Sequence, residues 1–264
     1  MSEKIQPNGA DAPKLAQPLY MPIKRRSFFR YAGATAGATA LLLSGCDDDD
    51  DTVNSNLLDV GSGDGGILNY AYALEQLEAA FYARIKTGTY YSNTSGAERQ
   101  ILDDLAGHEA IHRDFLKAAI TANGFTPLKD LTPNFDSIDF SSRDNVLEAA
   151  QTFEDTGVAA YNGAGRFITN NTYLGLAGKI VSVEARHAAL IRDLRRYNSF
   201  VDEDVVNLFT QTSGQAPGTG TARLTQGNGN PGPGQERSKR PPTVLAAVNE
   251  YLQEGSKLSA TNFA

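Results

Sequence analysis

A glutamate and a histidine three residues apart occur twice in this chain, as Glu109-Ala-Ile-His112 and Glu184-Ala-Arg-His187. On a helix that spacing puts a carboxylate and an imidazole on one face about a turn apart, where both can bind one metal ion. Upstream of each pair stands a glutamate followed seven residues later by a tyrosine: Glu75 with Tyr82, and Glu154 with Tyr161. Seven residues are nearly two helical turns, so each tyrosine lies above its glutamate on the same face. The order Glu, Tyr, ExxH therefore appears twice. Four carboxylates and two imidazoles suit two metal ions bridged by carboxylates, with positions left open for oxygen or peroxide. A set rich in oxygen, with two imidazoles and no thiolate, suits iron or manganese, and ligand type does not choose between them.

Charge sharpens the reading. Four glutamates in an apolar bundle core cannot all stay ionised without compensation, because burying an isolated charge is very costly. Two divalent cations would neutralise them. Glu78 follows Glu75 by three residues and either adds a further ligand or tilts to solvent. A competing pattern overlaps the first pair, since His108 to His112 reads H-E-x-x-H, the helix signature of a zinc protease. That reading lacks a third ligand and puts Arg113 and Asp114 straight after the motif. It also leaves the second hairpin's repeat unexplained. His108 lies about 100° round the helix from Glu109 and is expected to be partly exposed, or an outer partner of the site.

The elements that must position these groups are helices. Apolar and functional positions recur at i, i+3, i+4 and i+7 in four stretches. The first, about Gly66 to Lys86, aligns Ala71, Leu74, Glu75, Glu78, Tyr82 and Ile85. The second, about Ala97 to Asn123, aligns Leu102, Leu105, Glu109, His112, Leu116 and Ile120. Leu147, Ala150, Glu154, Val158 and Tyr161 share a face of the third, about Arg143 to Ile168. Ala177, Ile180, Glu184, His187, Ile191 and Leu194 share a face of the fourth, about Tyr173 to Asn198. Ser95 is the expected N-cap and Gly124 the expected C-cap of the second helix. The connections run short, long, short, which predicts an all-α fold: two antiparallel hairpins joined by a long crossover in a four-helix bundle. The bundle is bounded at residues 67–200. Residues 201–264 form a Gly/Pro-rich extension in which "TVLAAVNEYL" offers a short extra helix, with Val244, Val248, Tyr251 and Leu252 on one side.

The front of the chain reads as an address. Arg25, Arg26, Phe28, Phe29 and Arg30, followed by a mild apolar run, resemble a twin-arginine export signal. The run is too short and too rich in Gly and Thr to span a membrane. It ends in Leu43-Ser44-Gly45-Cys46, which resembles the lipobox of bacterial lipoproteins, a likeness that implies cleavage after residue 45 and lipidation of Cys46. Cys46 is the single cysteine, so no intrachain disulfide can form. Residues 46–66, opening with five aspartates, read as an acidic flexible tether. The chain of 264 residues carries a formal net charge of −7, and no lysine/arginine block follows the N-terminal region, which argues against nucleic acid as a partner.

The region from about Ile67 to Phe200 resembles the ferritin-like di-iron proteins, and "LNYAYALEQLEAAFYARI" is similar to the desiccation-related members. By that likeness Glu75, Glu109, His112, Glu154, Glu184 and His187 fall on metal-ligand positions. Tyr82 and Tyr161 match a tyrosine that bonds a ligand carboxylate or takes part in electron transfer; ordinary core packing with a satisfied hydroxyl accounts for them equally well. Glu78 is similar to the additional glutamate of rubrerythrins, although it stands on the first helix. The resemblance implies an exported, envelope-anchored or periplasmic di-metal protein that meets oxygen or peroxide under oxidative or drying stress. The alternative is a non-catalytic metal-binding or structural envelope protein. The anchor in front and the extension behind argue against a storage shell, and a homodimer is left open.

Overall fold

The computed structural model describes residues 56–202, 204–206 and 236–264. The twin-arginine-like segment, Cys46, the aspartate run and most of the Gly/Pro-rich stretch lie outside the described residues. Six helices dominate: α1 (Gly63–Ile85), the short α2 (Thr89–Asn93), α3 (Gly96–Ala122), α4 (Arg143–Ala164), α5 (Asn171–Arg195) and α6 (Pro241–Val248). Helices α1 and α3 form one antiparallel hairpin, α4 and α5 the other, and α1 packs on α4. This is the expected all-α bundle with a short C-terminal helix. Among the described residues no helix is long and apolar enough to cross a membrane.

Local chemistry sets the helix ends. The Asn170 side chain accepts from the backbone N–H of Thr172 and of Tyr173, and Ser142 accepts from that of Asn145, so α5 and α4 begin on satisfied donors. Ser95 does occupy the N-cap of α3, but its hydroxyl makes no capping bond. The third helix is shorter than its periodicity implied, because one 3-10 turn, Gly165–Phe167, follows Ala164. The fourth begins earlier, at Asn171, and stops at Arg195.

Helix α1 is buried on nearly every side, a consequence of what lies over its back. The crossover runs along it in extended form, clipped by two amides. Asn69 donates to the Thr126 carbonyl and accepts from Leu128 N–H. Gln76 does the same with the Lys129 carbonyl and Leu131 N–H. Seven helical residues advance about 10 Å, and three extended residues advance about 10 Å. The two clips are therefore in register with the strap they hold.

The bundle also begins earlier than residue 67. Leu58–Asp59 (β1) pairs in parallel with Leu258–Ser259 (β2), Leu58 opposite Leu258, and Val60 is buried. The end of the expected tether is thus part of the fold. Two-residue strands carry no readable period, so pattern alone could not find them. The extension is likewise built in. Val244, Leu245, Val248 and Leu252 are buried, with α6 against α4, while Tyr251 is only half-buried. Asn134 N–H bonds to the Tyr251 carbonyl and Gln253 N–H to that of Thr132. Lys239 N–H bonds to the Ala159 carbonyl at 2.9 Å. A Cβ on Gly163 would stand 1.8 Å from the Lys239 carbonyl oxygen, so only glycine admits this close approach.

Two apolar clusters fill the interior. The larger contains Phe81, Tyr82, Leu102, Leu105, Leu147 and Phe153; the smaller contains Ala71, Tyr72, Leu116, Ile120, Tyr161 and Ile180. On α3 and α5 the glutamate of the repeat falls between the residues given to one cluster and those given to the other, while α1 and α4 contribute to the larger cluster on both sides of theirs. A layer of charge lies inside an otherwise apolar core.

Candidate metal centre

Each long helix delivers one glutamate to that layer. Glu75 from α1, Glu109 from α3, Glu154 from α4 and Glu184 from α5 are all 0% exposed. His187 is buried, and the His112 side chain keeps 12% exposure. Their ligand atoms gather into two overlapping sets, Glu75, Glu109, His112 and Glu184, and Glu109, Glu154, Glu184 and His187. Within each set, the atoms lie inside 4.8 Å of one another. Both sets share Glu109 and Glu184, the two glutamates of the ExxH pairs. Each set adds one glutamate from the front half of the repeat, and the histidine pairing crosses between hairpins. His112 Nδ1 lies 2.8 Å from Glu184 and 3.5 Å from Glu75 and Glu109. His187 Nδ1 lies 2.8 Å from Glu109 and 3.5 Å from Glu154.

The tyrosines fix the outer carboxylates. Tyr82 donates to Glu154 Oε1 and Tyr161 to Glu75 Oε1, both at 2.5 Å. Each bond runs between hairpins, so the tyrosine above one glutamate of the repeat holds the other. Burial, reinforced by the nearby carboxylates, raises both phenols well above their usual range, and they remain O–H donors.

Once these bonds are made, the remaining polar atoms have nowhere to go. Glu75 Oε2, Glu154 Oε2, both oxygens of Glu109 and of Glu184, and Nδ1 of His112 and His187 are buried without a hydrogen-bond partner. The short imidazole–carboxylate contacts lack hydrogen-bond direction and do not satisfy them. A buried unsatisfied polar group costs about 1–3 kcal/mol. Eight aimed at one interior spot are not a stable resting arrangement for neutral packing. As a donor set they divide evenly: one outer carboxylate oxygen, one imidazole nitrogen and two shared carboxylates for each of two cations. The residues present fit metal binding.

Without cations the cluster must hold protons instead. Burial pushes Glu75 up to about 8 despite His112, and it raises Glu154 and, with the neighbouring carboxylates, Glu184. Burial opposes the charged imidazoles, yet Glu109, Glu184 and Glu75 outweigh it and push His112 up to about 12. Glu109 and Glu154 likewise push His187 up to about 10. Burial would also raise Glu109, but His112 and His187 beside it hold it down to about 2. This is strong perturbation of the kind that marks functional sites.

Two residues fall outside the sets. Glu78 does not tilt outward to solvent. It is 4% exposed but belongs to neither ligand set. Its place in the second hairpin is taken by Gly157, and a Cβ there would stand 3.0 Å from Glu78 Oε1 and 3.5 Å from Glu184 Oε2. The glycine makes room for the extra carboxyl, a relation between two helices that neither pattern alone reveals. Burial and then the charge of Glu184 hold Glu78 well above the usual carboxylate range. His108 is exposed and absent from both sets, which removes the zinc-protease arrangement. Its Nδ1 instead lies 2.9 Å from His187 Nε2.

A four-helix bundle whose interior brings together four glutamates and two histidines defines a helical carboxylate protein compatible with metal binding. Residues 63–196, about half the chain, match the family described as "Ferritin-like domain", and the chain belongs to that family. A comparison with curated proteins returned no match.

Proposed function

We propose that this protein is an exported, lipid-anchored ferritin-like protein that holds two iron or manganese ions and reacts with oxygen or peroxide. Glu75 and His112 hold one ion and Glu154 and His187 the other, with Glu109 and Glu184 shared. The observation that carries this reading is the set of eight buried, unpartnered donor atoms left after Tyr82 and Tyr161 have taken the two outer oxygens. When bound, such a metal pair supplies the electron transfers that oxygen and peroxide chemistry needs.

The chain's own groups do the rest. Each tyrosine leaves its carboxylate one free oxygen, fixed in direction. The apolar clusters above and below keep bulk water from the carboxylates. We assign the route for a small oxidant to the α3–α5 side, a reading supported by the partly exposed edge of His112 and the exposed His108. The twin-arginine-like segment and Cys46 support export in a folded, loaded state and retention at the envelope, where protection against oxidative or drying stress is the expected role.

Aerobic iron titration of the purified protein tests the core of this reading and should give oxidation at about two metals per chain. Failure to bind removes it. Oxygen or peroxide consumption by metal-loaded protein should fall sharply in a Glu109→Ala variant, which loses a shared carboxylate. Equal rates would leave a metal-binding or structural envelope protein instead. Elemental analysis of protein from its own host decides between iron and manganese, and a Cys46→Ala variant should leave the membrane fraction.

A further inference from the structure

We propose that His108 is a positioning residue that makes the two metal positions unequal, so that the position of Glu154 and His187 holds its ion more tightly than that of Glu75 and His112. This rests on the two-metal reading above and concerns a residue outside the ligand set.

The argument starts from what the outward nitrogen of each histidine touches. His187 Nδ1 faces the carboxylates, and its Nε2 meets His108 Nδ1 at 2.9 Å. The two ring planes are within 7° of parallel and their centroids are 5.1 Å apart. That is too far for stacked faces, and it is the geometry of an N–H pointing in the ring plane at a neighbouring lone pair. A histidine that offers Nδ1 to a metal carries its proton on Nε2. His187 therefore donates and His108 accepts, which fixes the ring orientation and strengthens Nδ1 as a donor. His112 has no such support, because its Nε2 makes no hydrogen bond to a described residue.

The difference is written into the repeat. His108 directly precedes the glutamate of the first ExxH pair, and the matching position before Glu184 is Val183. Because the histidines cross between hairpins, a residue of α3 supports the histidine of α5. Outside the carboxylate cluster, His108–His187 is also the one side-chain hydrogen bond between α3 and α5 among the described residues. The twofold pattern that builds the cluster is broken at its outer edge, on one side only.

The test is a titration of metal-free protein with manganese(II) alone, following the free-ion electron paramagnetic resonance signal. Wild type should bind two ions in unequal steps. His108→Val, which copies the other hairpin's residue, should weaken the tighter step about 10–100-fold and bring the two steps together. His108→Gln keeps an acceptor oxygen and should recover part of the loss, which a merely structural role would not do. Two backgrounds assign the effect. In Glu75→Gln, where the His187 position remains intact, His108→Val should weaken binding, and in Glu154→Gln it should not. Isotherms of His108→Val that superimpose on wild type overturn the proposal, as does an equal effect in both backgrounds. Absence of binding in wild type overturns the two-metal reading itself, so the two failures are distinguishable.

Discussion

Loading the metal-free protein with two divalent cations at pH 7 should expel about three protons or more. At that pH His112, at about 12, and His187, at about 10, are both charged. Glu75, at about 8, is about nine-tenths protonated. Burial and the neighbouring carboxylates raise Glu184, and burial raises Glu154, so any proton either holds adds to the count, while Glu109, at about 2, is ionised. The protons on His112, His187 and Glu75 must leave before these groups can act as ligands. What remains is four carboxylates and two neutral imidazoles, a formal charge that two divalent ions cancel. The number is read by calorimetry of metal binding in two buffers with different heats of ionisation, the difference in observed heat giving the protons released. At pH 9 the count should fall by about one, because Glu75 has then lost its proton. Binding of two ions with release of fewer than about one proton at pH 7 would refute the charge balance. The metals would then sit elsewhere, or the cluster would be ionised and relaxed in a way this arrangement forbids.

Four further outcomes follow from the same groups. Metal-free protein should lose thermal stability as pH rises from about 5 to 9. His112, His187 and Glu75 bind protons more tightly folded than unfolded, so their contribution is complete below their ordinary values and disappears toward about 12, 10 and 8. Glu109, with its value lowered, acts only as pH falls below about 4.5, and metal-loaded protein should show no such decline. Glu78→Gln imitates the protonated carboxyl and should leave the melting temperature at pH 7 close to wild type while flattening the decline at higher pH. Tyr82→Phe or Tyr161→Phe strands a buried carboxylate oxygen and should cost about 1–3 kcal/mol in denaturant unfolding of the metal-free protein. Gly163→Ala drives a Cβ into the Lys239 carbonyl and should cost roughly 1–3 kcal/mol or more, with faster amide exchange at residues 236–240.

What was legible in the chain was what repeats at helical period. Glu75, Glu109, Glu154 and Glu184 stood out because charged residues on apolar stripes need a reason, and the reason located them all in one layer. Tyr82 and Tyr161 could be placed above their glutamates, but not paired across hairpins, since that depends on how the two hairpins interlock. The extended pieces were illegible. Asn69 and Gln76 hold the strap that buries the back of α1, a role that their types and spacing do not announce. Leu58 and Leu258 lie 200 residues apart and pair over only two residues. A contact that short has no signature in composition or spacing.

The departures from the repeat are more informative about function than the repeat itself. A perfect duplication would produce two equivalent metal positions, and the two shared carboxylates would bind both alike. This chain breaks the duplication twice beside those carboxylates. Glu78 faces Gly157, and His108 corresponds to Val183. The first difference puts an extra carboxyl next to Glu184, and the second puts an extra hydrogen bond behind His187. Both shared glutamates also lie closest to the histidine of the opposite hairpin, so a change on one helix is felt at the ligand of another. On the proposed two-metal reading, two ions in such a site would differ in affinity and in electron density, and that difference would let one ion react while the other is held. If Glu78→Gly and His108→Val together left two-step metal binding unchanged, the asymmetry would be decoration on a symmetric site. A loss of the difference between the steps would make it part of how the site works.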